Sequence, residues 1–484
     1  MAGSKLQPLR RSLHHKGSPP VTAHDMNRVI VRPAQWLTAP LLAGALFSAH
    51  AAEPAATAAP TAAASDQRCH VGAYRLDDGS VVAVTQMDKP TQLRWRAFDG
   101  RVGKLSWENG HWVGTRGWTD QPDPVAVSFG DCSDEGIRYD GHTGKKLKFD
   151  IVDTKFEGKG VNLRGRLVLP QGKSKVPVVV LVHGSENYSG VDSYFQQYMF
   201  PAEGVGVFVY DKRGTGGSTG KYSQNFHDLA DDASAALREA QRLGSKRIGR
   251  IGFHGGSQGG WVAPLAASKT PQASFVFVGF GLTDGVLAED RDQVALDLRA
   301  AGFGDAETLR KAREVSDVTG LIASTSGKRG YDQLDALRKK YQGEPWWKAL
   351  KGEYSGLIAS HTREEALAEL AKFDFEVSWD YDPMPVLRSL KTPQLWIVGG
   401  DDVEAPSADT QKRLTELGEA GRPITSVVFP QADHGILEFE KDAKGERKYT
   451  RIAEGYIRMQ LDWIKHGTLK GWPYGQARQL AGPK

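Results

Sequence analysis

The sequence predicts an α/β fold, with a mainly parallel central sheet covered by helices on both faces and a small β-rich domain ahead of it. Three observations predict it. After about residue 145, short β-rich runs alternate with helical stretches, the pattern of a parallel sheet built with crossover helices. The run Pro177 to Val182 (PVVVLV) is apolar throughout, as a strand buried on both faces must be. Ahead of this region, alternating runs are punctuated by Asp78-Gly79, Asp99-Gly100 and Asn109-Gly110, dipeptides suited to tight hairpin turns.

Composition narrows the function classes. The chain has 484 residues, 40% hydrophobic and 25% charged, which excludes wholesale disorder. At roughly 150 residues per domain it has room for two to four domains. The formal charge is +4, too little over this length to indicate nucleic-acid binding without a local basic cluster. Two cysteines exclude a cysteine-rich metal site or a disulfide-dense scaffold.

Residues 1–51 read as an export segment. Arg28 and Arg32 precede an apolar stretch from Leu37 to Ala49, and Ala49-His50-Ala51 fits a small-residue cleavage site. The apolar stretch is about 13 residues, short of the roughly 20 that span a membrane, and it contains Pro40. No stable membrane anchor is expected, and the expected location is periplasmic or secreted. Both Met1 and Met26 stay open as the start. Removing residues 1–51 takes away six Lys/Arg and one acid, so the mild basicity belongs to the export segment. The Ala/Pro/Thr-rich stretch 52–66 reads as a flexible tether.

The first expected domain covers 67–143. Its strands are read at Ser80 to Val84, Leu93 to Phe98 and His111 to Val113. Cys69 and Cys132 bracket them, and in an oxidising compartment they can pair.

The second domain, 144–484, repeats the buried-strand pattern at Gly206 to Tyr210, Ile248 to Phe253, Ser274 to Val278 and Gln394 to Val398. Between two of these, Phe226, Leu229, Ala233, Leu237, Ala240 and Leu243 recur at helical spacing. The Ile248 strand runs into Gly255-Gly256-Ser257-Gln258-Gly259, followed by a helical run from Trp261. Gly-x-Ser-x-Gly is common by chance in a chain with 55 glycines. Placed between strand and helix it acquires meaning. The turn is tight enough to exclude flanking side chains, and it holds the serine hydroxyl exposed in a strained conformation.

A serine nucleophile needs a base, and the base needs an orienting carboxylate. Two later strand exits supply them in the order acid, then histidine: Asp401-Asp402-Val403-Glu404-Ala405-Pro406, and Asp433-His434-Gly435. Ser257, Asp402 and His434 are therefore the candidate triad, with Asp401 as the rival acid and Glu404 a more distant one. His254 sits in the strand before the serine and reads as a wall residue. His227 and His361 fall in the wrong part of the order. Gly214 to Lys221 (GTGGSTGK) is a decoy: the P-loop spacing would need glycine at Thr215, and Tyr222 stands where Ser or Thr would hold magnesium.

These residues resemble the α/β-hydrolase superfamily of serine hydrolases over about 160–470. His183-Gly184-Ser185 after PVVVLV resembles the family's oxyanion loop, and Asp211 to Ser218 resembles its D-x-R-G-x-G-x-S turn. The Gly-Gly-Ser-Gln-Gly-Gly elbow is similar to that of bacterial capped esterases and acyl-peptidase-like hydrolases. The resemblance implies attack by Ser257, proton transfer by His434 and orientation by Asp402. It also implies an oxyanion hole from the N–H of Gln258 and one from the 183–185 loop, Ser185 being the expected donor although Glu186 follows where many relatives have glycine.

Residues 283–391 exceed what one crossover needs and read as helical at Asp305 to Ala323, Tyr331 to Tyr341 and Thr362 to Phe373, an inserted cap over the site. Its aromatics, including Trp346 and Trp347, form either its own core or an acyl pocket. The leading expectation is an exported carboxylesterase-like enzyme acting on small acyl esters through an acyl-enzyme. The alternatives are an aminopeptidase or acyl-peptidase on short peptides and, in another class, a binding protein on a hydrolase fold. No cofactor, metal or nucleic-acid partner is expected, and the sequence does not specify an oligomeric state.

Overall fold

The computed structural model describes residues 67–372 and 375–482. The expected export segment and tether lie outside the described residues. Among those described, no helix is long and apolar enough to cross a membrane.

The N-terminal strands are β1 (Gly72–Leu76), β2 (Val81–Gln86), β3 (Gln92–Ala97) and β4 (Val102–Glu108). They continue with β5 (His111–Arg116), β6 (Val127–Phe129), β7 (Gly136–Tyr139) and β8 (His142–Lys146). They form one antiparallel sheet in the order β5-β4-β3-β2-β1-β8-β7-β6. Because β8 pairs with both β1 and β7, the sheet runs through Lys146, just past the expected end at 143. Cys69 and Cys132 are bonded, with Cα atoms 5.5 Å apart.

Strand alternation gives this sheet two different faces. Leu93, Trp95 and Ala97 of β3 enter its own apolar cluster. Ala83 of β2 and Val102 of β4 instead join the cluster of the following domain, so the sheet is docked on its second face. The turn Asp99-Gly100 illustrates how close the approach is. Gly100 has φ +95°, and a Cβ there would lie 2.2 Å from the carbonyl oxygen of Ile452.

The second sheet contains β9 (Phe149–Glu157), β10 (Asn162–Pro170), β11 (Val176–Val182), β12 (Gly206–Tyr210) and β13 (Ile248–Gly256). It is completed by β14 (Val276–Gly279), β15 (Gln394–Gly399), β16 (Ile424–Phe429) and, after a two-stranded hairpin of β17 (Leu437–Lys441) and β18 (Arg447–Ile452), by β19 (Arg478–Ala481). Its order is β19-β16-β15-β14-β13-β11-β12-β10-β9. The strands from β12 to β16 run parallel, and the edge strands are antiparallel. Val178, Val180 and Val182 face one apolar cluster, while Val179 and Leu181 face another on the opposite side. The unbroken apolar run in the sequence has this cause.

On the first side lie the helices α3 (Phe226–Gly244) and α4 (Gly259–Lys269); on the second lie α2 (Gln196–Ala202), preceded by the short α1 (Gly190–Ser193), and α12 (Tyr456–His466). Asn225 caps α3 by accepting from the N–H groups of His227 and Asp228. The 283–391 insertion folds as α5 (Val286–Ala300), α6 (Ala306–Ser324), α7 (Tyr331–Tyr341), α8 (Ser355–Ser360), α9 (Arg363–Leu370) and α10 (Met384–Ser389), ahead of α11 (Ala408–Glu419). Thr362 and Glu365 form a reciprocal capping box at the start of α9. Trp346 and Trp347 pack within the insertion's own apolar cluster.

The chain crosses from β11 to β12 on one side and returns to β13 on the other. Crevices at the carboxyl ends of such strands are where α/β sheets bind ligands. The loops after β11 and β13 both open there.

Candidate active site

Ser257 occupies the turn from β13 into α4 with φ +53°. A non-glycine residue in this left-handed region costs about 1–3 kcal/mol and persists only where neighbours over-determine it. Here the Ser257 N–H donates to Gly279 O at 3.0 Å and its carbonyl accepts from Gly260 at 2.7 Å. The turn leaves no room beside it: a Cβ on Gly255 would stand 2.1 Å from the carbonyl oxygen of Gly259.

The two expected oxyanion donors flank this serine's loop. Neither the Gln258 N–H nor the Ser185 N–H meets an acceptor among the described residues. The loop carrying Ser185 is held from behind. The buried Lys212 ammonium donates to Gly184 O at 2.8 Å, and the Tyr222 hydroxyl donates to Ser185 O. Burial pulls the Lys212 ammonium down to about 8, with the charge of Glu186 opposing the shift. Glu186 takes the Gly184 N–H at 3.2 Å and the Tyr194 hydroxyl, which leaves Ser185 as the loop's unengaged donor. Burial works against the charge of Glu186, but His183, Lys212 and Tyr194 outweigh it and hold the carboxyl at about 2. His183 shapes the loop: Nε2 lies 2.5 Å from Tyr210 O, and Nδ1 stands 3.2 Å from Glu186 without hydrogen-bond alignment.

The turn after β12 is structural. Asp211 accepts from the Ser189 hydroxyl at 2.6 Å and from the N–H of Val191 and Gly217. Arg213 makes two bonds to the buried Asp232, at 2.7 and 2.9 Å.

His434 and Asp402 meet. Nδ1 of His434 lies 3.0 Å from Asp402 Oδ2; since an ionised carboxylate only accepts, Nδ1 carries the proton. The other oxygen of Asp402 accepts from the N–H of Glu404 and Ala405 at 3.0 and 2.8 Å. Asp401 is exposed and takes no part in this contact. Asp433, fully buried, braces the same loop through the N–H of Val403 and His434, the Tyr449 hydroxyl and Arg447.

Two carboxyls near His434 were not assigned these places from the sequence. Glu404 Oε1 lies 3.0 Å from His434 Nε2, and no hydrogen bond joins Ser257 Oγ to the imidazole among the described residues. Burial opposes charge on His434, but Glu404 first and Asp402 second raise it to about 10. The imidazole between two carboxylates is thus an imidazolium. Glu289 of α5 keeps part of its surface accessible, yet burial, then the nearby Glu353, pushes its carboxyl well above the usual range. His254 is stacked on Phe277 at 4.5 Å and, through burial, falls to about 4: a neutral wall residue.

Ser257, Ser185, His434 and Glu404 line one cavity of about 310 Å³. Its remaining wall departs from the sequence expectation. Arg96 and Trp118 of the N-terminal domain line it, and no residue of α5 to α10 does. The insertion packs behind the acid loop, where Gln293 of α5 reaches Val403 O at 3.4 Å. Trp346 and Trp347 do not form the pocket. Side-chain groups with metal-ligand spacing, such as Asp284, Asp292 and Asp409, lie away from this lining.

Residues 173–284 match a family model described as serine aminopeptidase, S33. A dipeptidyl aminopeptidase BIII of Pseudoxanthomonas mexicana is 22% identical over 72% of this chain and 46% of its own length. A putative carboxymethylenebutenolidase of Methylorubrum extorquens is 24% identical over 33% of this chain and 53% of its own. The chain therefore spans about half the length of these curated relatives. Among solved structures, an acylaminoacyl peptidase of Pyrococcus horikoshii aligns over 81% of this chain and 62% of its own, with 13% identity and a TM-score of 0.40. An esterase of Pyrococcus furiosus aligns over 64% and 88%, with 15% identity and a TM-score of 0.36. The segment matched by the family model, 173–284, contains both the 183–185 loop and the serine turn at Ser257.

Proposed function

We propose that this chain is an exported serine hydrolase that cleaves carboxylic esters through an acyl-enzyme. One observation carries the reading: Ser257, held at positive φ, shares a cavity with His434, whose Nδ1 is 3.0 Å from Asp402. Ser257 Oγ attacks the acyl carbonyl as His434 Nε2 accepts its proton. The carbonyl oxygen takes up the charge against the N–H groups of Gln258 and Ser185, each such donor being worth roughly a hundred- to a thousandfold in rate. His434 then protonates the leaving group, and water releases the acyl group by the same route. Proton transfer requires Glu404 to leave Nε2, because an imidazolium cannot act as a base.

That carboxylate favours a second reading, hydrolysis of short peptides. With Glu404 3.0 Å from Nε2 of His434 and in the cavity wall, a substrate ammonium would find an anionic partner and draw Glu404 from the imidazole. Export rests on the residue pattern of 1–51, and the Cys69–Cys132 bond suits an oxidising compartment.

A fluorophosphonate probe applied to cell fractions tests these points together. The periplasmic fraction is expected to show labelled protein, absent in a folded Ser257→Ala variant. Label confined to the cytosol sinks export, and a folded protein that takes no label sinks the hydrolase. Turnover of p-nitrophenyl esters above aminoacyl-anilides is expected; anilide turnover alone would select the peptidase.

A further inference from the structure

Arg96 is buried without the partner that a buried guanidinium needs. It retains 3% of its exposure and lines the cavity beside Ser257. Its Nη1 donates to Thr85 Oγ1 at 3.0 Å, and its guanidinium lies over the Phe195 ring at 4.5 Å. Among the described residues no carboxylate lies within ion-pair distance of it. Arg213, by contrast, is buried against a carboxylate, making two bonds to Asp232. Burial, then the neighbouring charge of Arg94, pulls the Arg96 guanidinium down to about 9. An arginine has five N–H donors in a planar fork suited to carboxylate, and Thr85 uses one of them.

The strand explains its position. Leu93, Trp95 and Ala97 point into the N-terminal cluster, so the alternate residues Arg94 and Arg96 point toward the hydrolase domain. Arg94 bonds Gly117 O at 3.1 Å and lies against Trp118, the other residue of the N-terminal domain in the cavity wall. Arg96 meets Phe195, which also lines the cavity.

We propose that Arg96 is an anion-recognising residue and that the substrates of this enzyme carry a carboxylate on the portion lying against the N-terminal sheet. Trp118 provides the flat apolar surface beside it. The assignment rests on the serine-hydrolase reading and narrows it to monoesters or amides of acids that keep a second, free carboxylate.

Two matched pairs test it. In one the carboxylate is on the acyl side: mono-p-nitrophenyl glutarate against p-nitrophenyl pentanoate. In the other it is on the leaving group: para-butyryloxybenzoate against its methyl ester. The wild-type protein is expected to favour the acid in at least one pair, with kcat/KM higher by about ten- to a hundredfold. Arg96→Gln is expected to bring that ratio close to one. Arg96→Lys keeps a charge but not the fork; it is expected to retain only part of the preference, and it decides the matter if Arg96→Gln does not fold. No preference in either pair, or an equal loss on both members, overturns the proposal. Titration of Ser257→Ala with glutarate, followed by tryptophan fluorescence, separates the two claims. Glutarate binding that Arg96→Lys weakens supports Arg96 even if Ser257 proves not to be the nucleophile. A chain that takes the fluorophosphonate label but binds no glutarate overturns Arg96 alone.

Discussion

At the scale of single residues, the site is poised by the imidazole of His434. It is clasped by Asp402 on one nitrogen and Glu404 on the other. In the proposed mechanism the base must be neutral, so with His434 raised to about 10 kcat/KM is expected to rise with pH well beyond the ordinary histidine range near 6.5. Glu404→Gln removes the foremost charge sustaining that shift. The limb of the pH profile is expected to move toward neutrality while Asp402 continues to orient the ring; an unmoved limb would show that Glu404 does not govern the base. Ser257, Asp402 and His434 could be singled out in the sequence as candidates because a Gly-x-Ser-x-Gly turn after a strand and two carboxyl-terminal strand exits restrict the choice. Glu404 was visible only as a weak rival for the acid. Its actual place follows from the turn that Asp402 makes with the N–H groups of Glu404 and Ala405, a contact that spacing does not encode.

At the scale of elements, periodicity served well where one force dominates. The helix at Tyr331 to Tyr341 and the capping box at Thr362 emerged as read. The strand ending in the serine turn runs to Gly256 rather than stopping at Phe253, since parallel pairing with β11 and β14 continues into the glycines. Of the two places the sequence left open for the insertion's aromatics, Trp346 and Trp347 take the insertion's own core. Hydrophobicity says that Trp346 is buried, not against which neighbour. Disulfide closure belongs to this scale too. Cys69 and Cys132 are 63 positions apart, and closing a loop of that size stabilises by up to roughly 4 kcal/mol through the unfolded chain. Replacing both with serine is expected to lower the urea midpoint of the N-terminal sheet. An unchanged midpoint would show that the sheet's packing, through Ala83 and Val102, already supplies its stability.

At the scale of the whole molecule, the two sheets are one mechanical unit. The β17–β18 hairpin directly follows His434, and its strand β18 is bonded to the N-terminal sheet: Trp118 N–H to Tyr449 O and Ile452 N–H to Gly100 O, both at 2.9 Å. Tyr449 and Arg447 of that strand hold Asp433, next to His434. None of this was legible, because residues near 100 and near 450 meet only once the chain has folded between them.

The docked hairpin also sets an order in time. Contacts this distant along the chain form late, since loop-closure entropy must be overcome before they are rewarded. The serine turn draws on strands close to it in sequence and can assemble early, whereas the brace on His434 waits for the last third of the chain to find the first sheet. On dilution from denaturant, tryptophan fluorescence is expected to recover ahead of reactivity toward a fluorophosphonate. Simultaneous recovery would mean that His434 is set without the hairpin's docking. On this order the site acquires its chemistry only when the hairpin has docked.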